Sequence, residues 1–428
     1  MEKIFKLSLL SSLLISSSAF SESYFTGSTN DSVVEAGDMI QILIPATGLF
    51  ATWMYDDLEG AKQLTYSLGT TVLTVQGLKY VVGRNRPNNS AWNSFPSGHT
   101  AAAFSGASFL QSRYGASWGI PAYTAATFVG VSRIHGNRHY AGDVVAGAGT
   151  AFLINQFFVS PYQMEGVQFN AQKTDGGFAI NVNVSNDAFD QEREVNKIQV
   201  FAKPLKHRIE LGIGSNLSDS SGEAFADRYL DISDAVDEYQ PFAYVNYQLS
   251  LENNNQLEIE FLPSETRRTG VVKEAFTVDG YTFNPGDEVL TAYQHWMLGS
   301  NVYKGFNSMN GFDFKVGLGM YVHRISFVAE DANTNDDTLS EEDWKAMVAG
   351  TVKGSYAITK KFSLLAKLQY HFWEDDSYQF AEAGINYAIN SEWDIGLMYG
   401  YSETKLKDSV FNTEYSAELL TFTFANRF

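Results

Sequence analysis

The sequence predicts two folds joined end to end: an all-α unit followed by a C-terminal transmembrane antiparallel β-barrel. Three observations predict this. Segments of helical length, rich in Ala, Gly, Leu and Val, fill residues 36 to 160. After Pro161 the apolar period changes to two, the period of a strand. The last such segment puts Leu420, Phe422, Phe424 and Phe428 on one face, and an aromatic residue in that place resembles the assembly signal of bacterial outer-membrane barrels.

Length and composition set the limits. The 428 residues suffice for two domains. Cysteine is absent, which excludes disulfides, thiolate metal sites and a cysteine lipid anchor. A net charge of -19 with no basic stripe argues against nucleic acid as a partner. Gly 35, Tyr 23 and Phe 31 against Pro 9 suits many exposed strands with aromatic girdles.

Residues 1–21 read as a signal peptide: Lys3 and Lys6, the apolar run from Leu7 to Ile15, and a cleavage site at Ala19-Phe20-Ser21. Residues 22–35 read as a polar linker. Helices are expected at 38–53, 61–83, 99–114, 115–134 and 140–159. Gln41 and Pro45, Lys62 and Gln63, and the stretch from Gln111 to Arg113 interrupt these runs. The reading is therefore a compact helical domain over 36–160 and not a set of membrane spans.

A linker at 161–176 and a barrel over 177–428 follow. Phe312, Phe314, Val316, Leu318, Met320 and Val322 alternate with Asp313, Lys315, Gly317, Gly319, Tyr321 and His323. Tight links at Thr359-Lys360 and Asn390-Ser391 alternate with longer ones such as 329–343, the outer-membrane arrangement of short periplasmic turns and long external loops. Ten strands can be placed from 207 onward. A weaker pair at 177–184 and 197–203 makes about twelve, the preferred count, with ten as the alternative. A barrel fused to true spans would be retained at the inner membrane, so the helical domain is expected in the periplasm, tethered beneath the barrel. Outer-membrane insertion implies the barrel assembly machinery as a partner.

Three polar motifs interrupt the apolar helical domain. They are Lys79-(six residues)-Arg86-Pro87, Pro96-Ser97-Gly98-His99, and Ser132-Arg133-(five residues)-His139-(three residues)-Asp143. The inventory suits a phosphate group. Lys79, Arg86, Arg133 and the Ser97 hydroxyl can surround its oxygens, and Gly98 lets backbone N–H groups approach near a helix N-terminus. His139 and Asp143, four apart, share a face if helical, so the carboxylate can set the imidazole tautomer and free the other nitrogen to attack phosphorus. His99 can protonate the leaving oxygen. The cations neutralise the charge, so neither a metal nor another cofactor is called for.

These motifs resemble the signature of the type 2 phosphatidic acid phosphatase family, which shares its site with vanadium haloperoxidases. The resemblance covers about residues 36 to 160. It implies phosphate binding by Lys79, Arg86, Ser97, Gly98 and Arg133, with His99 as acid, His139 as the nucleophile forming a phosphohistidine, and Asp143 as its orienting partner. Ser132 has no assigned task, His135 reads as a loop histidine, and Arg84 and Arg138 are candidates for a second phosphate or a lipid headgroup.

The function expected is a metal-independent phosphatase acting on a phosphomonoester or diphosphate, lipid-linked or small, and anchored in the outer membrane. From beneath the barrel it would meet inner-leaflet headgroups and periplasmic metabolites. Two alternatives are a vanadium-dependent haloperoxidase and an outer-membrane pore or scaffold with a non-catalytic helical domain. His323, Lys367 and His371 would face the lumen of such a pore, and no serine or carboxylate spacing ties His295, His323 and His371 together.

Overall fold

The computed structural model describes residues 31–88, 90–162, 167–174, 177–184, 205–217, 229–231, 236–238, 240–309, 311–331, 339–407 and 412–428. The expected signal peptide, residues 22–30 of the linker and the weak strand at 197–203 lie outside the described residues.

Five helices form a bundle: α1 (Ser32–Met54), α2 (Leu58–Val82), α3 (Gly98–Tyr114), α4 (Ala116–His135) and α5 (Ala141–Phe158). Their ends are chemically marked. Asp31 caps α1 by accepting from Val33 N–H at 2.8 Å, and Ser97 caps α3. Gly83 ends α2 in the left-handed region at φ 62°, which a side chain would disfavour.

Contrary to the expected interruption, α1 runs unbroken through Pro45, and it is long and apolar enough to cross a membrane. Pro45 forgoes one helical hydrogen bond, but its turn is held against α3. A Cβ on Gly106 would lie 2.6 Å from the Pro45 backbone nitrogen, so only glycine permits this approach. Ala51, Ala103, Ala107 and Ala126 pack with Leu64, Phe109, Leu110 and Val129 in the bundle core. The Ala- and Gly-rich text is thus the text of closely packed helices.

The second unit is a closed barrel of ten antiparallel strands: β3 (His207–Asn216), β5 (Pro241–Ser250), β6 (Gln256–Val271), β9 (Glu288–Met309), β10 (Phe312–Asp331), β11 (Leu339–Ala357), β12 (Phe362–Trp373), β13 (Asp376–Ala388), β14 (Trp393–Lys407) and β15 (Asn412–Arg427). Closure is made where β15 pairs with β3 and where β6 pairs with β9. The preferred count of twelve is corrected to ten, and the barrel begins at 207 and not at 177. Residues 177–184 form β2 (Gly177–Val184), which pairs with β1 (Val167–Thr174) in a separate hairpin. Once β3 meets β15, the closed sheet has no edge to receive another strand.

Two smaller elements sit at the long-loop end. β4 (Val236–Glu238) pairs antiparallel with β6 at Arg267 to Thr269, and β7 (Phe276–Val278) pairs with β8 (Tyr281–Phe283). Phe276, Val278 and Phe283 pack with Val289, Ile325, Phe327 and Met347 as an apolar cluster inside that end. Below it the lumen holds charged pairs, Lys353 with Glu258 and Lys367 with Glu260. They line a cavity of about 380 Å³ that also takes in Glu210 and Glu382.

The bundle packs against the side of the barrel. α5 lies along the outer wall: Val145, Ala146 and Leu153 pack with Leu211 and Ala243, and with the partly buried Ile213, Val245 and Phe261. Gly149 allows the contact, because a Cβ there would stand 2.7 Å from the Leu211 side chain. Small residues on α5 let its backbone approach the branched side chains of the wall, and that close packing sets the docking.

Candidate active site

The bundle gathers the three motifs at one end. Lys79 is in the last turn of α2, Ser97 and Gly98 open α3, Arg133 is near the end of α4, and Asp143 is in the first turn of α5. Residues 83–88 and 90–97 and the turn from 136 to 140 lie at that end, joined by Asn88 N–H donating to Asn137 C=O at 3.2 Å.

His139 and Asp143 meet, though not across a helical face. His139 lies in the turn before α5, and Asp143 is the third helical residue. Its carboxylate reaches back to accept the Tyr140 N–H at 2.9 Å, the acidic half of a capping box. The same oxygen lies 3.4 Å from His139 Nδ1 and accepts from the Ser94 hydroxyl at 2.5 Å. The other oxygen accepts from Arg84 at 2.9 Å. Asp143 is fully buried, and this many donors favour its ionised form. An Nδ1–H directed at Asp143 leaves Nε2 unprotonated and able to attack. Burial, and then the charges of Lys79 and Arg86, push the His139 pKa down to about 3 against the hydrogen bond that the ring donates to Asp143, so the ring is neutral above that pH.

His99 is paired as well. Its Nε2 lies 3.2 Å from Asp38 on α1, and Asp38 also binds Arg133. Arg133 is buried and donates to the Val34 carbonyl at 2.7 Å and to Ser132 Oγ at 3.0 Å. Ser132 thus has a task that its motif position did not disclose: it holds the Arg133 guanidinium. Gly37 makes room, since a Cβ there would lie 2.1 Å from Ser132 Oγ. Lys79 is buried with its ammonium on the Asn93 carbonyl. The charges of Arg86 and Arg133 bear on His99, and those of Lys79 and Arg86 on His139, so the three cations share one electrostatic neighbourhood with both rings. Ser97 Oγ accepts from the Thr100 hydroxyl at 2.9 Å, and the α3 N-terminus that it caps begins at Gly98.

Sequence spacing missed Asp38, Ser94 and the role of Arg84. Arg84 was expected at a second phosphate or a headgroup. Instead it is buried, bonds Asp143, stacks 3.5 Å over the Tyr140 ring, and donates from Nε to Gln240 of the barrel end at 2.9 Å. Its place inside the first motif was the only available signal. His135 ends α4 and pairs with Asp31 at 3.0 Å. The barrel histidines do meet: His295 Nε2 is 2.8 Å from His323 Nδ1, and His323 Nε2 is 2.9 Å from His371 Nδ1.

Fold and site define a centre of two carboxylate-paired histidines among three cations, built at one end of a helical bundle. Residues 60–165 match the PAP2 superfamily. Over 102 residues the chain is 46% identical to a lipid A 1-phosphatase of Porphyromonas gingivalis, covering 23% of this chain and 23% of that protein. Over 140 residues it is 28% identical to a lipid A 4'-phosphatase of Helicobacter pylori, covering 30% of this chain and 70% of that protein. The chain therefore spans about a quarter of the length of the first relative. The structure is also similar to outer membrane protease OmpT from Escherichia coli, at 10% identity and a TM-score of 0.35, covering 53% of this chain and 98% of that one.

Proposed function

We propose that the chain is a phosphatase that hydrolyses a lipid-linked phosphomonoester or diphosphate through a phosphohistidine, held in the outer membrane by its barrel. The observation that carries this reading is the His139–Asp143 pair. Its carboxylate is locked by Arg84, Ser94 and the Tyr140 N–H, so one ring nitrogen is committed and the other is free among the charges of Lys79 and Arg86.

In the first step, His139 Nε2 forms a bond to phosphorus as the bond to the ester oxygen breaks, and His99 gives that oxygen its proton. Lys79, Arg86, Arg133 and the α3 N-terminus stabilise the charge on the three equatorial oxygens. In the second step, His99, now neutral, takes a proton from water. The water oxygen bonds to phosphorus, and the His139–phosphorus bond breaks to release phosphate. Asp38 orients His99 as Asp143 orients His139. The lipid A phosphatases among the relatives support a lipid phosphate as substrate.

The pore reading finds little support in the described lumen, which is filled by an apolar cluster at one end and by paired charges below it. The test is phosphate release from a panel of lipid phosphates and from p-nitrophenyl phosphate, with EDTA present, comparing wild type with His139→Ala. EDTA-resistant release that disappears in the variant is expected. Release that EDTA abolishes, or that His139→Ala retains, overturns the mechanism. Halide oxidation that requires vanadate, without ester hydrolysis, would assign the site to the haloperoxidase reading.

A further inference from the structure

The site end of the bundle rests against one level of the barrel wall, and the wall's own side chains mark that level. Phe312, Phe314, Val316, Leu318, Met320 and Val322 make the outward face of β10, a run that matches the ~9–11 residues a tilted strand needs to cross a bilayer. The next outward residue is Arg324. It stacks over Trp296 at 4.7 Å and Trp344 at 6.0 Å, and bonds Glu342 and Gln294. Gln294 donates to Glu265, and Glu265 pairs with Arg267. Tryptophans and a charged row directly above an apolar band are the signature of the headgroup layer.

Arg267 ties that layer to the site. It lies 5.0 Å over the Tyr140 ring and donates to the carbonyl of Pro87. Tyr140 follows His139, and Pro87 follows Arg86. At the other end of α5, Phe157 meets Trp393 and Phe152 meets Phe428, beside the short turns. With 18 residues α5 is about 27 Å long, so it covers the apolar band from one interface to the other.

The rest of the bundle has a surface for the same medium. Leu43 and Phe50 on α1, Leu73 on α2, and Ile120 and Phe128 on α4 are exposed. No Asp, Glu, Lys or Arg occurs at 39–55, 63–78, 99–112, 116–132 or 144–162. Charges stand only at the ends of these stretches. Exposed apolar surface of this extent, continuous with the apolar wall of a barrel, fits lipid.

We infer that the bundle lies in the bilayer beside the barrel and opens its phosphate site to the headgroups of the outer, cell-surface leaflet, so that the substrate is a phosphate carried by a lipid of that leaflet. This rests on the phosphatase reading proposed above and on the short turns facing the periplasm. It reverses the sequence expectation, which set the site against the inner leaflet.

The absence of cysteine makes the test clean. Ser90→Cys, in the exposed loop beside Arg86, is compared with Tyr281→Cys at the long-loop end and Lys360→Cys in a short turn. Intact cells are treated with a polyethylene-glycol maleimide too large to cross the outer membrane. Labelling at positions 90 and 281 but not at 360 is expected. Protection of 90 until the cells are permeabilised, or labelling of 360 in intact cells, overturns the placement. In a second arm, the phosphate content of lipids confined to each leaflet is compared in cells making wild type or His139→Ala. Loss from the outer leaflet alone is expected, and loss from the inner leaflet or from soluble esters alone overturns the substrate. Correct labelling with no phosphate loss anywhere would uphold the placement and overturn the phosphatase reading instead.

Discussion

Asp143 holds the site together through more partners than its motif suggests, and the strongest residue-level predictions concern them. Arg84 touches no atom of a bound phosphate in this account; it positions Asp143. Arg84→Ala is expected to lower kcat with KM little changed, and Arg84→Lys to restore part of the loss, because one charged contact to Asp143 can be kept. A change in KM alone would assign Arg84 to substrate binding. The Arg84–Asp143 pair is buried, so removing one partner also costs stability, with ~3–5 kcal/mol as the upper range. Asp143 keeps Ser94 and the Tyr140 N–H, which places the loss toward the low end. His99→Ala is expected to cost about two to four powers of ten in rate. The depressed His139 value has a sign that can be checked. The unfolded chain binds that proton near ~6.5, the folded chain only at about 3. Stability from this group is therefore whole above ~6.5 and falls as the pH drops toward 3. An NMR titration should find the His139 ring neutral at about pH 5, where an ordinary histidine is charged; a charged ring there contradicts the account.

At the scale of elements, the bundle depends on glycines at its crossings. Gly37→Ala would drive a Cβ into Ser132 Oγ and the Arg133 guanidinium. The expected result is a loss of ~1–3 kcal/mol, as for other overpacked interiors, together with weaker phosphate binding through a displaced Arg133. Thermal unfolding and KM measure the two effects, and unchanged values for both would show that α1 and α4 are not held this way. The helices themselves were legible because their apolar runs end at strong signals such as Gly83 and Ser97. The motif residues were legible because they are near neighbours in sequence. Asp38 and Gln240 were not, because α1 and the barrel reach the site only after folding and leave no spacing to read. Strand number failed for a related reason. Residues 177–184 alternate like any strand, and alternation says nothing of which sheet a strand joins. The structure pairs them with β1, while β15 closes on β3.

At the scale of the whole molecule, the barrel is a wall against which the site is assembled, beyond the anchoring proposed for it. Arg84 joins Asp143 to Gln240, and Tyr140 sits between Arg84 and Arg267. Gly149→Leu would wedge α5 off Leu211. It should leave a heat-modifiable barrel in the membrane but reduce activity; full activity would show that docking and catalysis are independent. The central claim, that His139 carries the phosphoryl group, is tested most directly by acid- and base-quenching the enzyme during turnover and mapping the phosphopeptide by mass spectrometry. The account predicts a phosphate on His139 that survives base, is lost in acid, and is missing from His139→Ala. Turnover with no such adduct, or a phosphate on any other residue, would contradict it.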